Sequence, residues 1–248
     1  MVRIAVAGAT GLAGGLIHQY LTDLGHEVIP LARGHGIDLL SGTGLATALS
    51  GVHTVVDASN VRHASGEPRE VMETAMSKLV SGARDAGVRR VVLLSINGID
   101  DPGLAEFAYY AGKRAQESVL VRSGIEHLIV RSTQWFEFAM NPSVVAEHPD
   151  AVDVQDWLIQ PVAVAAVARW IAESVSALGG GSRTVVLAGD ERMRLPELTR
   201  RVLAARADPR LVRPVPPRFL AFATGALIPP PDATVIGPTL EQWLAARS

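Results

Sequence analysis

The chain has 248 residues and a mass of 26.3 kDa, a length that fits one large α/β domain or one such domain with a smaller lobe. Its 23 basic residues stand against 25 acidic ones, with no basic run to meet a phosphate backbone, which argues against a nucleic-acid partner. The absence of cysteine removes disulfides, thiol nucleophiles, zinc fingers and iron–sulfur ligation together.

The opening "MVRIAVAGATGLAGGLIHQYL" is apolar, but its glycines and the polar His18-Gln19 interrupt the run, so it is read as folded structure and not as a targeting segment. Nowhere do apolar residues run unbroken for the roughly 18 positions of a membrane span. The apolar "FLAFATGALI" stops at Pro229-Pro230-Pro231. A cytoplasmic protein without a membrane partner is expected.

"RIAVAG" is the first predicted strand, and "VAGATGLAG" behind it places Gly8, Gly11 and Gly14 as GxxGxxG at the start of the first predicted helix. Such a strand-to-helix turn aims backbone N–H groups and the positive helix end at a pyrophosphate, while glycine lets the backbone come close. Thr10 and Leu12 lie in the same turn, and the Thr10 hydroxyl is a further candidate contact. A tight structural turn would have a similar glycine pattern, but this position at the first strand-helix junction points to a dinucleotide.

The second strand, "HEVIPLA", leads into "RGHGID". An acid about 20 positions after the glycines pairs with the ribose of NAD, whereas arginine there accommodates the 2′-phosphate of NADP. Arg33 occupies that place, which favours NADP(H) over NAD(H). Asp38 follows and is assigned to the adenine border. The third strand, "HTVVDAS", ends in Ser59 and Asn60, small polar groups suited to the cofactor's path or to a plain strand-end turn.

"EPREVMETAMSKLVSGARDAG" is a predicted helix, "RRVVLLS" a fourth strand ending at Ser95, and "LAEFAYYAGKRAQESVLVRSG" another helix after the turn at Asp100-Asp101. Of the basic residues only Lys78 and Lys113 are lysines. On a helix, Tyr109 and Lys113 at i and i+4 share a face while Tyr110 turns roughly 100° away. A free phenol, with a pKa near 10, is a poor acid at neutral pH, but a cation within ~4–6 Å stabilises phenolate. Tyr109 is thus the candidate general acid, Lys113 its partner and a contact for the nicotinamide ribose, and Ser95 a candidate to hold the substrate oxygen. An aromatic helix face with a snorkelling lysine is the bland alternative, and Tyr110 is a rival phenol.

"EHLIVRS" is a fifth strand. Short apolar strands alternating with helices, "GTGLATALSG" among them, give an α/β fold with a doubly wound parallel sheet. Residues 1–132 form the expected nucleotide-binding domain and residues 133–248 a small C-terminal substrate lobe that returns some elements to the first. In "STQWFEF", Gln134, Trp135 and Phe138 offer an amide among aromatics for a flat substrate, although Phe136 and Phe138 equally suit packing. Gly179-Gly180-Gly181 is a short turn, and "LPELTRRVLAARA" and "TLEQWLAA" are helices.

The histidines His18, His26, His35, His53, His63, His127 and His148 form no HxxxH or HExxH and are given structural or solvent roles, with no metal expected. No GxSxG elbow is present, against an α/β-hydrolase.

Taken together, "GATGLAG", Ser95 in "LLSINGI", "YYAGKRAQE" and "SGIEHLIVRSTQWFEF", with "QPVAVAAVA" and "VLAGDERMRLPELTRRVLAAR" downstream, resemble the NmrA-like, atypical branch of the short-chain dehydrogenase/reductase superfamily. The resemblance implies a Rossmann-type domain binding NAD(P)H, with the C-terminal lobe closing a small-molecule pocket. It implies members ranging from quinone or carbonyl reductases to proteins that bind the dinucleotide without turnover. Two departures stand out. Where relatives open the helix after "QP" with acidic residues, this chain has Ala165 and Ala166, leaving that helix without its usual cap. Many relatives lack the tyrosine-lysine pair that this chain keeps. The expected activity is an NADPH-dependent reductase of a small carbonyl or quinone-like compound, as a monomer or homodimer. A NADP(H)-sensing regulator and a cofactor-retaining epimerase, dehydratase or cyclase are the alternatives.

Overall fold

The computed structural model describes residues 1–60, 66–177 and 180–247. His63 and Gly179 lie outside them. The first half alternates as read from the sequence: β1 (Arg3–Ala7), α1 (Leu12–Asp23), β2 (Glu27–Leu31), α2 (Leu45–Ala48), β3 (Thr54–Asp57), α3 (Pro68–Asp85), β4 (Arg90–Ile96), α4 (Ala108–Arg122) and β5 (Glu126–Ser132). Then come β6 (Val145–Glu147), β7 (Ala151–Gln155), β8 (Leu158–Ile159), α5 (Val164–Ser176), β9 (Arg183–Ala188), β10 (Met193–Arg194), α6 (Leu195–Ala205), β11 (Leu211–Val215), α7 (Ala221–Thr224), β12 (Thr234–Val235) and α8 (Leu240–Ala245).

Seven strands form a parallel sheet in the order β12-β9-β5-β4-β3-β1-β2, flanked by helices in a Rossmann-like α/β fold. The chain runs outward from β1 to β2 and then returns to β3 on the other side of β1. The strand order therefore switches between β1 and β3, the place where such sheets bind ligands at their carboxyl ends. Successive strand residues point to opposite faces, and here both faces are covered. Ala5, Ala7, Val55, Val91 and Leu93 on one face and Ile4, Val6, Val56 and Val92 on the other are all fully buried. The first set packs with Met76, Leu79 and Ala83 of α3, and each large side chain so buried contributes about 1.5–3 kcal/mol.

The chain divides into two compact units. One comprises Met1–Ser95, Ala105–Arg131 and Ala168–Val185, the other Ile96–Leu104, Ser132–Val167 and Val186–Ser248. The chain passes through the second unit at Ile96–Leu104, leaves the first again at Arg131 and returns to it at Ala168.

Within the second unit, β7 pairs antiparallel with β6 and parallel with β11. Thr199 on α6, fully buried, donates its hydroxyl to the Ala139 carbonyl at 2.6 Å. Trp157 stacks on Phe222 with ring centroids 4.0 Å apart. The helix that lacks a local cap, α5, forms nonetheless. Its first N–H, from Val164, donates to Glu137 Oε2 at 3.2 Å. The carboxylate missing after "QP" is thus supplied from 27 residues upstream, where it satisfies an orphan donor and complements the helix dipole.

Two helices are shorter than their sequence patterns. The run "GTGLATALSG" yields only the four-residue α2. Its N-cap Gly44 has φ +76°, and a methyl added there would lie 2.6 Å from the Gly36 carbonyl oxygen. Ahead of α4, residues Pro102–Leu104 form a 3-10 turn in which Asp101 Oδ1 accepts from the Gly103 N–H at 2.8 Å. The α-helix therefore begins at Ala108.

Candidate active site

The glycine turn is built from close approaches that no side chain would survive. Gly8 has φ +77°, and a Cβ on it would fall 2.6 Å from the Ala58 oxygen and 2.8 Å from Ser59 Cα. On Gly14 the same atom would lie 2.1 Å from the Gly8 oxygen. The second glycine closes the turn, its N–H donating to the Gly8 carbonyl at 2.9 Å. The turn after β1 thus lies directly against the strand-end residues after β3, at the switch point. Thr10, Gly11 and Leu12 are exposed at its rim, and the first N–H groups of α1 lack intrahelical partners by construction. Such a cradle, free of Cβ atoms and lined by backbone donors, fits a dinucleotide pyrophosphate.

Arg33 is exposed in a 3-10 turn immediately after β2. Asp38 faces inward on its own loop, taking the Leu40 N–H at 3.0 Å and the Ser41 hydroxyl at 3.1 Å. The Leu40 N–H holds the Asp38 carboxyl below the usual carboxylate range, partly opposed by burial, with Ser41 and Arg33 reinforcing the shift. The β3 end is ordered by Asp57, whose Oδ1 accepts the Ser59 N–H at 2.8 Å. Asn60 is exposed beyond it.

Tyr109 and Lys113 both belong to α4, one turn apart. Gly112 between them lets α4 approach α3, since a Cβ there would sit 2.7 Å from Met72 Sδ and 2.9 Å from the Pro68 oxygen. Tyr109 is half-buried, its ring 6.4 Å from that of Phe107. Tyr110 is only 4% exposed, with its ring 5.1 Å from Phe107. Lys113 is also 4% exposed. Its ammonium donates to the Leu94 carbonyl at 3.1 Å and to Gln116 Oε1 at 3.0 Å. An ammonium has three hydrogens, so one has no acceptor among the described residues. The snorkelling geometry, with the ammonium in water, is not what forms.

Four residues that look like surface polars in the sequence, Asp57, Gln116, Glu117 and Arg131, complete this network. Gln116 Nε2 donates to Asp57 Oδ2 at 2.8 Å. Glu117 accepts a two-pronged pair from Arg131, Nε to Oε1 at 3.1 Å and Nη2 to Oε2 at 2.7 Å, the fork geometry that binds carboxylates most strongly. Ser95 donates its hydroxyl to the same Glu117 Oε1 at 2.5 Å. The Ser95 proton is therefore directed at a carboxylate, which leaves its oxygen lone pairs, and not its proton, for any further partner. The signal for these residues was the spacing: positions 116 and 117 lie at i+3 and i+4 from Lys113 and so share its face.

In the second unit, the segment after β5 is held by backbone bonds, Val162 N–H to the Gln134 carbonyl at 2.9 Å and Phe136 N–H to the Val162 carbonyl at 3.0 Å. Thr133 Oγ1 and Gln134 Oε1 are buried without a hydrogen-bond partner among the described residues. Trp135 is half-buried and donates Nε1 to Ser132 Oγ at 2.9 Å. Phe138 packs at 5.6 Å from Trp157, and Phe136 at 5.3 Å from Trp243. Four of the histidines have hydrogen-bond partners: His26 with Ser176, His53 with Thr54, His127 with the Ile125 carbonyl and His148 with Asp153. No group of three or more histidine or carboxylate side chains is placed to hold a metal ion among the described residues, and no helix among them is long and apolar enough to cross a membrane.

The turn, the switch point and the parallel sheet define a dinucleotide-binding Rossmann-like protein. A family model described as NAD(P)H-binding matches residues 35–178, more than half of the chain. The chain belongs to this NAD(P)H-binding family, in the NmrA-like, atypical short-chain dehydrogenase/reductase group. Its fold is shared by solved structures of low identity. An NADPH-dependent quinone oxidoreductase from Escherichia coli, complexed with NADPH, is 19% identical with a TM-score of 0.73, over 98% of this chain and 99% of that one. A Citrobacter sp. triphenylmethane reductase complexed with NADP(H) is 18% identical with a TM-score of 0.70, over 98% and 99%. A UDP-N-acetylglucosamine 4-epimerase from Bacillus cereus is 15% identical with a TM-score of 0.71, over 99% and 95%. No curated protein matches the sequence.

Proposed function

We propose that the protein is an NADPH-dependent reductase of a small carbonyl or quinone-like compound. The observation that carries this reading is the buried Lys113 ammonium, one helical turn from Tyr109, with a hydrogen that no described residue accepts. A lysine placed only for solubility would hold its ammonium in water. The nucleotide, held by the turn of Gly8, Thr10, Gly11, Leu12 and Gly14 and along Ser59 and Asn60, would supply hydride to the substrate carbon.

Arg33 takes the 2′-phosphate, which sets the preference for NADPH over NADH. Asp38 keeps its carboxylate on its own loop and borders the adenine through that loop. Tyr109 donates its phenolic proton to the substrate oxygen, completing the reduction to an alcohol or hydroquinone. Lys113 offers its remaining N–H to the ribose and stabilises the phenolate left behind. Ser95, with its proton on Glu117, meets the substrate as an acceptor and orients it. Gln134, Trp135 and Phe138 are assigned to the substrate, where the unpaired Gln134 oxygen accepts from a donor on the ring system. The fold similarity to a quinone oxidoreductase and a triphenylmethane reductase supports a flat, conjugated substrate.

The test is NADPH oxidation by the purified protein with a panel of quinones and ketones. Turnover on any of them supports the reductase. Tight NADPH binding without turnover would replace it with a sensor, and nucleotide carried through purification without net redox change would replace it with an epimerase-type reaction.

A further inference from the structure

The geometry points to Gln116 as the residue that positions Lys113 and joins it to the cofactor-side strand end, an inference that rests on the reading of Lys113 given above. Gln116 is 2% exposed, and its two ends meet opposite charges: Oε1 accepts from the Lys113 ammonium at 3.0 Å and Nε2 donates to Asp57 Oδ2 at 2.8 Å. The amide can stand only one way round. Flipped, it would set an NH2 against an ammonium and a carbonyl against a carboxylate, two contacts without a shared hydrogen. A primary amide bridges a buried cation and a buried anion with a bond at each end, which neither an apolar side chain nor a carboxylate does.

Asp57 is equally committed. It is 2% exposed at the end of β3, and its other oxygen takes the Ser59 N–H at 2.8 Å. Ser59 and Ala58 in turn lie against Gly8, whose missing side chain makes room for them. A continuous set of contacts therefore runs from the glycine turn through Ala58 and Ser59, Asp57 and Gln116 to Lys113. The spacer also has an electrostatic effect. Among the described residues Lys113 donates to neutral acceptors alone, the Leu94 carbonyl and the amide, so its charge is balanced by Asp57 at one remove and its third hydrogen stays available. A direct ion pair would draw the ammonium toward the carboxylate and away from a ligand.

The experiment is a double-mutant cycle on NADPH affinity, read by calorimetric titration of the full chain with Gln116→Leu, Lys113→Met and the double variant. Gln116→Leu is expected to weaken NADPH by about tenfold, the size of one lost charge-assisted hydrogen bond. In the Lys113→Met background the same change should cost less than about twofold, because a residue that acts through another loses its effect when that partner is gone. Equal losses in both backgrounds would overturn the inference, since a merely structural role is additive. So would an unchanged affinity in Gln116→Leu. If Lys113→Met alone leaves NADPH affinity intact, the parent reading of Lys113 fails instead, which keeps the two distinguishable. Thermal melts of each variant check folding. Should Gln116→Leu not fold, Gln116→Met serves in its place: it keeps the length of the side chain and removes the bonds at both ends. A loss of NADPH affinity confined to the Lys113 background is then expected, and equal losses in both backgrounds would again overturn the inference.

Discussion

The glycine turn and the inward face of α4 lie in the same compact unit and are made by opposite means. The turn works by what is absent: at Gly8 and Gly14 any Cβ would strike backbone, so the chain brings N–H groups to a surface that side chains would block. The α4 face works by what is present, an ammonium, an amide and a carboxylate, each buried and each bonded. A site made of missing atoms tolerates no additions, whereas a site made of bonded charges tolerates no deletions. That difference orders the expected effects of mutation.

The largest falls on the turn. Gly14→Ala places a methyl 2.1 Å from the Gly8 oxygen, where backbone must move. Overpacking of this kind costs about 1–3 kcal/mol, and the displaced N–H groups should abolish measurable NADPH binding. Gly180, around which an added methyl meets nothing within 4 Å, is the control. Wild-type affinity in Gly14→Ala would refute the cradle.

Next comes charge deletion at the nucleotide's edge. Arg33→Ala should weaken NADPH by about tenfold, equivalent to 1.4 kcal/mol, and leave NADH within about twofold. Equal loss of both would remove the 2′-phosphate assignment. A smaller effect is expected at Glu137, which caps α5 from outside its own sequence. Glu137→Ala should cost about 1 kcal/mol of stability, the usual value of a lost cap, as a lower urea midpoint without a changed slope.

The smallest effect is with acid. Asp38 is held below the usual range chiefly by the Leu40 N–H, Asp153 by the Arg213 guanidinium and Asp208 by the Arg210 guanidinium. For each, the unfolded chain takes up its proton first, so the stabilisation is present above about pH 4 and is lost as pH falls below it. His26, lowered mainly by burial and then by the N-terminal charge, adds loss in the same direction as pH falls below about 6.5. The melting temperature should therefore decline gently from neutral pH and steeply under about pH 4, and a rise on acidification would contradict these directions.

Much of this was readable in the chain. Strands buried on both faces have near-continuous apolar runs, which is why β1 to β5 stand where "RIAVAG", "HEVIPLA", "HTVVDAS", "RRVVLLS" and "EHLIVRS" place them. Less legible were features set by contacts distant in sequence. The start of α5 depends on Glu137, and in the small β6-β7-β11 sheet β11 joins β7 from 60 residues downstream, with Pro214 in β11 masking the strand pattern. The polar network was the hardest to read. Asp57, Gln116, Glu117 and Arg131 are ordinary surface types, and only their arrival on one buried face shows that they support Lys113 and Ser95. Ser95 itself was placed at the right strand end, but the direction of its proton is set by Glu117, 22 residues away.

The most direct measurement is the steady-state rate of NADPH oxidation, on whichever substrate proves active, for the wild type, Tyr109→Phe and Tyr110→Phe. Loss of the general acid should lower kcat by about 10²–10⁴-fold in Tyr109→Phe with NADPH affinity preserved, while Tyr110→Phe retains most of its rate. Undiminished turnover in Tyr109→Phe would contradict the account.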